Sequence, residues 1–421
     1  MSEQQYSEYS SFRKLNVIEK VLFYTFPFFS TIGFKYTGFN QGFLKAIYFV
    51  LIPIFFLYIG KNWLLKCSFF SYFGIMRKIF FITFFSIFLS YFFWNQNLLL
   101  GYRAIAPYLS IIFYFFLVTS RIEPKEIEKF LWIYAVLYIL LWLYGLSQAP
   151  TMIYGDEDEA YLDESRGFFR INLPGRGFLV IAMFMALNKY VQSRFKLKFL
   201  LLGIFFFIFI VLQLTRQIIL WSFIIGFYYL LKNNKRVWFY VTLIGLVFVF
   251  VGNNIKIPRN SIVGQMLELT QDQISDQKKG EEDIRLQEYG FFFTKYSKNI
   301  VTDIFGNGMP HFDSKYGKYY YMSIMEGKDF YFSDVGYAQM FAVTGYIGLL
   351  LYFFLFLKSF FRRTNAQYFF AKLFMVYQLF ANIAASWYTQ DAVILCVAVY
   401  LLTISNYEAQ DNRDGQINIS E

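Results

Sequence analysis

FIVLQLTRQIILWSF, residues 209–223, lies inside an apolar run from Lys198 to Leu231 and carries one arginine, Arg216. As a single helix this run would be about 50 Å long, against a hydrocarbon core of about 30 Å. It would also invert everything downstream. Two short helices with a tight turn at Leu214-Thr215-Arg216-Gln217 fit a bilayer and put Arg216 at its outer face. The orientation of the remaining chain follows from that choice.

The composition is that of a membrane protein. Of 421 residues, 57% are hydrophobic, 24% aromatic and only 16% charged. A soluble protein would carry about 25% charged residues. Apolar blocks of about 17–25 residues recur, the length of a spanning helix. The expected fold is therefore all-α: a polytopic helix bundle of about twelve spans forming one integral membrane domain over 1–421. The spans fall near 18–34, 43–60, 79–95, 99–120, 130–147, 172–188, 199–215, 217–231, 237–252, 335–357, 367–386 and 390–405.

Lysine and arginine set the orientation. Arg13, Lys14 and Lys20 flank the first span. Lys61, Lys66, Arg77 and Lys78 follow the second, and Arg121, Lys125 and Lys129 the fourth. Lys189, Arg194, Lys196 and Lys198 come next, then Lys232, Lys235 and Arg236, then Lys358, Arg362 and Arg363. Alternating spans put all of these on one side, the cytoplasm by the positive-inside rule, with both termini there. A smaller outer loop spans 148–171, with the acidic run DEDEAYLDE at 156–164. A large one, 253–334, lies between spans nine and ten.

The net charge of +10 is explained by these loops and does not indicate nucleic acid. The two cysteines, Cys67 and Cys396, give neither a disulfide framework nor metal-ligand spacing. The polar start MSEQQYSEYSSFRKL has no small-residue cleavage site after its first apolar block, so a removable signal peptide is not expected.

Chemistry-bearing residues gather in the outer segments. Arg216 either snorkels to head-group phosphates or binds an anionic substrate group, for which its planar fork is suited. RGFFRINLPGRGF (166–178) holds Arg170 and Arg176 around a helix start at Pro174. EEDIRLQEYGFFF (281–293) puts Arg285 in the first turn of an amphipathic helix with Leu286, Tyr289, Phe293, Tyr296 and Ile300 on its apolar face. Arginines from three outer segments are the makings of a phosphate or pyrophosphate receptor, or they pair with the neighbouring acidic runs.

DIFGNGMPHFDSKYGKYYYM (303–322) carries a glycine turn, then Tyr316, Tyr319, Tyr320 and Tyr321. These rings suit either the apolar faces of sugars or a membrane interface. The only histidine, His311, lies here and is no metal site by itself. In FSDVGYAQMFAVTGYIGLLLYF (332–353), Asp334 enters the next span, placed either to take a proton from an attacking hydroxyl or to pair with an arginine. Gly336, Gly345 and Gly348 allow close helix packing. Asp391 is a weaker candidate at the start of the last span.

The order of these features resembles the O-antigen polymerase (Wzy-like) and O-antigen ligase superfamily of bacterial envelope glycosyltransferases. Arg285 matches the family's arginine ahead of the loop helix. Ile304 to Gly308 matches its glycine turn, and Ser333 to Leu349 the stretch that the ligases write HNxyLxxxxexGxxG. Arg216 matches an "SR" turn with Thr215 in place of the serine, and Arg170 or Arg176 matches a first-loop arginine. The detailed likeness covers about 165–355. The ligases carry a histidine where Asp334 stands, which favours a polymerase.

The resemblance implies a GT-C-like bundle in the bacterial inner membrane, its active site facing the periplasm or exterior. It implies a glycan on undecaprenyl pyrophosphate as donor and a second lipid-linked repeat unit as acceptor. It implies inversion at the anomeric carbon, no metal and no cofactor. Catalysis would fall to Asp334, Arg216 and Arg285; Arg170, Arg176, Arg216, Arg285, Tyr319, Tyr320 and His311 would bind substrate. Membrane lipid and a chain-length regulator are the expected partners. Two other enzymatic or transport functions compete: a ligase that moves the glycan to another acceptor, and a flippase or transporter. The clustering of charge at one face and the lack of repeated halves disfavour transport. A non-catalytic assembly subunit also fits.

Overall fold

The computed structural model describes residues 12–32, 41–60, 63, 68, 71–148, 173–213, 215–234 and 283–417, and a short hairpin at 161–163 and 168–170. The ninth expected span, 237–252, and the first part of the large loop, 253–282, lie outside the described residues, as does Cys67.

The described chain is helical apart from that hairpin. It begins with α1 (Val17–Pro27), continued by a π turn at Phe28–Ile32, then α2 (Gln41–Ile59) and α3 (Tyr72–Trp94). Next come α4 (Leu98–Leu109) and α5 (Ile112–Ser120), bent by 54° at Pro107–Ile111, then α6 (Pro124–Ser147). The hairpin pairs β1 (Tyr161–Asp163) with β2 (Phe168–Arg170), setting Tyr161 opposite Arg170. This is a small departure from an all-α chain. Then follow α7 (Gly177–Gln192), α8 (Leu197–Leu212), α9 (Arg216–Asn233), α10 (Ile284–Thr294) and α11 (Ile300–Phe305). Last come α12 (Gly336–Phe361), α13 (Phe369–Ala381) and α14 (Ala392–Ile417).

Among the described residues three helices, α3, α6 and α12, are long and apolar enough to cross a membrane, and the bent α4–α5 pair makes up to four. Others are apolar but shorter. α7 is buried from Gly177 through Asn188, as expected of a helix apolar all round and placed at the centre. Around it, α8 and α9 turn Leu201, Ile204, Phe205, Ile208, Leu220 and Phe223 outward. An apolar exterior of this kind suits lipid and not water.

The run from 198 to 231 is broken. α8 stops at Leu212, and Arg216 is the first residue of α9, not the middle of a turn. The amphipathic stretch after Arg285 also differs from expectation. α10 stops at Thr294; Leu286 and Ile300 are exposed, and Ile300 opens a separate helix. The buried positions of α10 are Glu288 and Phe292. The apolar spacing across 286–300 is therefore shared by two helices that pack independently.

Side-chain contacts sort the helix ends into two groups. At one end the start of α1, the ends of α2 and α5 and the start of α6 meet through Arg13, Glu19, Tyr58, Ser120 and Glu126. Lys189 at the end of α7 meets Glu128. Asn188 reaches the Ala366 carbonyl before α13, and the Asn365 amide donates to Ser405 late in α14. The other end gathers the starts of α7, α9, α12 and α14 with the ends of α8 and α13. Thus the described helices alternate in direction.

The FGNG turn has a structural task. Gly345 inside α12 has φ +68°, a left-handed conformation that glycine adopts without cost, and it breaks the helix. The carbonyls of Ala342 and Val343 are freed from the helix ladder there. They accept instead from the Asn307 and Gly308 amides at 2.9 and 3.1 Å. A Cβ on Gly306 would sit 2.2 Å from the Val343 oxygen, and one on Gly345 would sit 2.3 Å from the Ile304 oxygen. Two glycines are needed because the two backbones touch.

Candidate functional site

The second end of the bundle is organised by the connection between α13 and α14, residues 382–391. Each neighbouring element holds it by a polar contact. Gly336, at the start of α12, packs so closely that a Cβ would lie 2.5 Å from the Ala385 oxygen. The Tyr337 amide donates to the Asn382 carbonyl, and the Ser386 amide to the Ser333 carbonyl. The Tyr289 hydroxyl of α10 donates to the Ile383 carbonyl at 2.6 Å, and Gln217 of α9 to the Ala384 carbonyl at 3.0 Å. Asn382 closes the turn by accepting from the Trp387 and Tyr388 amides through Oδ1.

Arg176 lies within this assembly and is only 3% exposed. It precedes α7, donates to Thr215 Oγ1 at 2.6 Å, and stands over the Trp387 ring at 5.6 Å. Buried Asp391 faces it across the start of α7 and accepts from the Gly177 amide and from Gln378. A Cβ on Gly177 would fall 2.4 Å from that carboxyl, so only glycine lets the helix start approach it. Tyr138 completes the floor by donating to the Leu173 carbonyl or Gln213 Oε1, each at 3.0 Å.

Thr215 links the first arginine to the second, because Arg216 is the next residue. Arg216 is half-buried at the start of α9. The third, Arg285, is exposed in the first turn of α10, one turn before Tyr289. The elements carrying Arg176, Arg216 and Arg285 therefore all abut the segment 382–391. Arg170 ends β2, whose side chains lie outside the described ones.

Asp334 is half-buried and accepts from the Ser333 hydroxyl at 3.0 Å. It sits in a 3-10 turn, Phe332–Asp334, entered through two amides that find side-chain acceptors. The Tyr331 amide donates to Glu288 Oε1 at 2.7 Å and the Phe332 amide to the Tyr320 hydroxyl at 2.9 Å. Glu288 is 1% exposed, and its Oε2 has no hydrogen-bond partner among the described residues. Burial pushes this carboxyl up to about 7, the Tyr331 amide opposing and the charge of Asp334 adding to the shift.

The aromatic loop forms a separate cluster around Trp94. Tyr320 is 4% exposed and stacks on Phe332 at 4.5 Å, so its ring is enclosed and its hydroxyl seats the Asp334 turn. Tyr319 is 38% exposed and leans on Trp94 at 5.3 Å. His311 donates from its backbone to Gln96 and accepts from the Asp313 amide through Nδ1. Burial lowers its proton affinity, against the pull of Asp313, with Arg103 and Lys45 also lowering it. This histidine neighbours α4, not the 382–391 segment.

Sequence reasoning missed Glu288, Gln378, Asn382 and Trp387. A signal existed for Gln378 and Asn382: they are polar residues one helical turn apart inside an apolar block. No protein-family model and no curated protein matches the chain.

Proposed function

We propose that the protein is a membrane polysaccharide polymerase. It joins oligosaccharide repeat units carried on undecaprenyl pyrophosphate into O-antigen, capsule or exopolysaccharide chains. The bundle has twelve spans in the bacterial inner membrane, with both termini cytoplasmic and the 382–391 end facing outward. Lipid-linked repeat units are its substrates, and a chain-length regulator is a partner.

The observation that supports this reading is the convergence of three arginine-bearing elements on one segment at one end of an apolar bundle. An anionic diphosphate at the membrane surface needs cationic donors fixed before it arrives. Arg176 is fixed by Thr215 and Trp387, while half-buried Arg216 and exposed Arg285 remain close to the surface. In the reaction a hydroxyl of the acceptor sugar attacks the donor's anomeric carbon. The bond to pyrophosphate breaks, its electron pair leaves with the diphosphate, and the guanidinium groups stabilise the growing charge. Inversion follows from attack opposite the leaving group.

Replacing Arg216 or Arg285 by alanine abolishes polymer ladders and leaves single repeat units on the carrier. Removal of one preorganised donor of this kind costs on the order of 10²–10³ in rate. Arg216→Lys is also impaired, since lysine lacks the fork. Ladders of wild-type length in both alanine variants refute the site. A reporter fused after residue 270 reads as extracytoplasmic, and a cytoplasmic signal refutes the topology.

A further inference from the structure

We infer that Glu288 is the proton acceptor of the transfer reaction, taking the proton of the incoming sugar hydroxyl on Oε2, while half-exposed Asp334 orients that hydroxyl. This rests on the polymerase reading above. A carboxyl oxygen removed from water and left without a donor is costly, and a catalytic role is one reason such an atom is retained. Glu288 Oε2 is such an atom among the described residues, whereas Oε1 is held by the Tyr331 amide at 2.7 Å. The carboxyl is thus oriented by one oxygen, while the other lacks a donor among the described residues.

The surroundings fit an acid–base pair. Tyr331 ties Glu288 to Asp334: its amide donates to Glu288, and its carbonyl accepts from the Asp334 amide at 3.2 Å. The charged groups acting on Glu288 are Asp334 from the turn and Arg285 and Asp283 from its own helix. Arg285 lies one turn away on the same helix, so the proton acceptor and a diphosphate-binding cation share one rigid element. A carboxyl held near neutrality by burial, beside a second carboxyl in a more open setting, divides the labour between two groups. In the step, the acceptor O–H bond breaks and its proton passes to Oε2. The freed oxygen bonds to the anomeric carbon, and the bond from that carbon to the diphosphate oxygen breaks. The diphosphate keeps the electron pair, and Glu288 later returns the proton to solvent.

The test is the pH dependence of chain growth by the purified full-length protein on polyprenyl-pyrophosphate-linked oligosaccharide. The wild-type rate rises with pH and levels near 7, where Glu288 loses its proton. Glu288→Gln keeps an acceptor for the Tyr331 amide but cannot take a proton. Its kcat falls by on the order of 10²–10⁴, its KM changes little, and the rise disappears. Glu288→Asp retains part of the rate with the rise displaced. A Glu288→Gln variant as fast as wild type, or a wild-type profile flat through neutrality, overturns the assignment and leaves the polymerase reading intact. A wild type that extends no chain at any pH overturns both.

Discussion

Glu19 and Glu288 are each 1% exposed, at opposite ends of the bundle, and are treated in opposite ways. Glu19 is saturated. Arg13 binds both its oxygens, the Tyr58 hydroxyl donates to Oε1, and the Asn16 amide donates to Oε2 at 2.9 Å in a capping box. Glu288 has one donor, on Oε1. The Glu19 end closes its charges on one another: Arg13 with Glu19, and Lys189 with Glu128. At the Glu288 end Arg176 meets a hydroxyl and an indole face, and Gln217 Oε1, Ser386 Oγ and Trp387 Nε1 are buried without hydrogen-bond partners among the described residues. The two ends thus treat a buried glutamate differently: Glu19 is held on both oxygens and Glu288 on one.

The largest difference should appear in stability. Arg13→Ala leaves a buried carboxylate without its cation and should cost about 3 kcal/mol. Thermal unfolding in detergent measures this, and chain growth below the lowered transition should be preserved. A loss of activity with unchanged stability would give the Glu19 end a role in chemistry.

Gly177→Ala is the next largest. Its Cβ would press on the Asp391 carboxyl, and overpacking of this kind costs about 1–3 kcal/mol. Because α7 begins at the site, activity should fall beyond what the stability loss explains. A variant with unchanged stability and rate would show that the Asp391 contact is loose.

Glu288→Gln should shift stability with the opposite sign. The folded state holds this carboxyl at about 7 against an ordinary value of 4.5. A raised value means that the native protein binds the proton more tightly than the unfolded chain. The wild type therefore loses stability as pH rises from 4.5 to about 7. The glutamine variant should be more stable than wild type at pH 8 and equal to it at pH 4. The same substitution at position 19 should destabilise at pH 8, because Arg13 loses its carboxylate partner.

Much of the architecture was readable from the sequence. The lysine- and arginine-bearing gaps agree with the helix ends that meet through Arg13, Glu19, Lys189 and Glu128, since charge is costly within a bilayer. The break before Arg216 followed from length alone. Glu288 was not readable, since it follows Glu281, Glu282 and Asp283 and looks like one more solvated acid. Its hydrogen-bond partner Tyr331 lies 43 residues on, which a local pattern does not bring to it. Tyr320 was misleading in the same way: in a run of three tyrosines nothing marks the one that turns inward. The rest of the 382–391 segment hid because Ser386 and Trp387 do not interrupt an apolar block as a charge does. Asn382 instead satisfies the Trp387 and Tyr388 amides in the turn between α13 and α14.

The most direct measurement is the product of the purified protein with polyprenyl-pyrophosphate-linked oligosaccharide as sole substrate. The account predicts a ladder of products growing by whole repeat units, with release of the lipid diphosphate. No product longer than the starting unit, or single transfer only when a different acceptor is added, would contradict it.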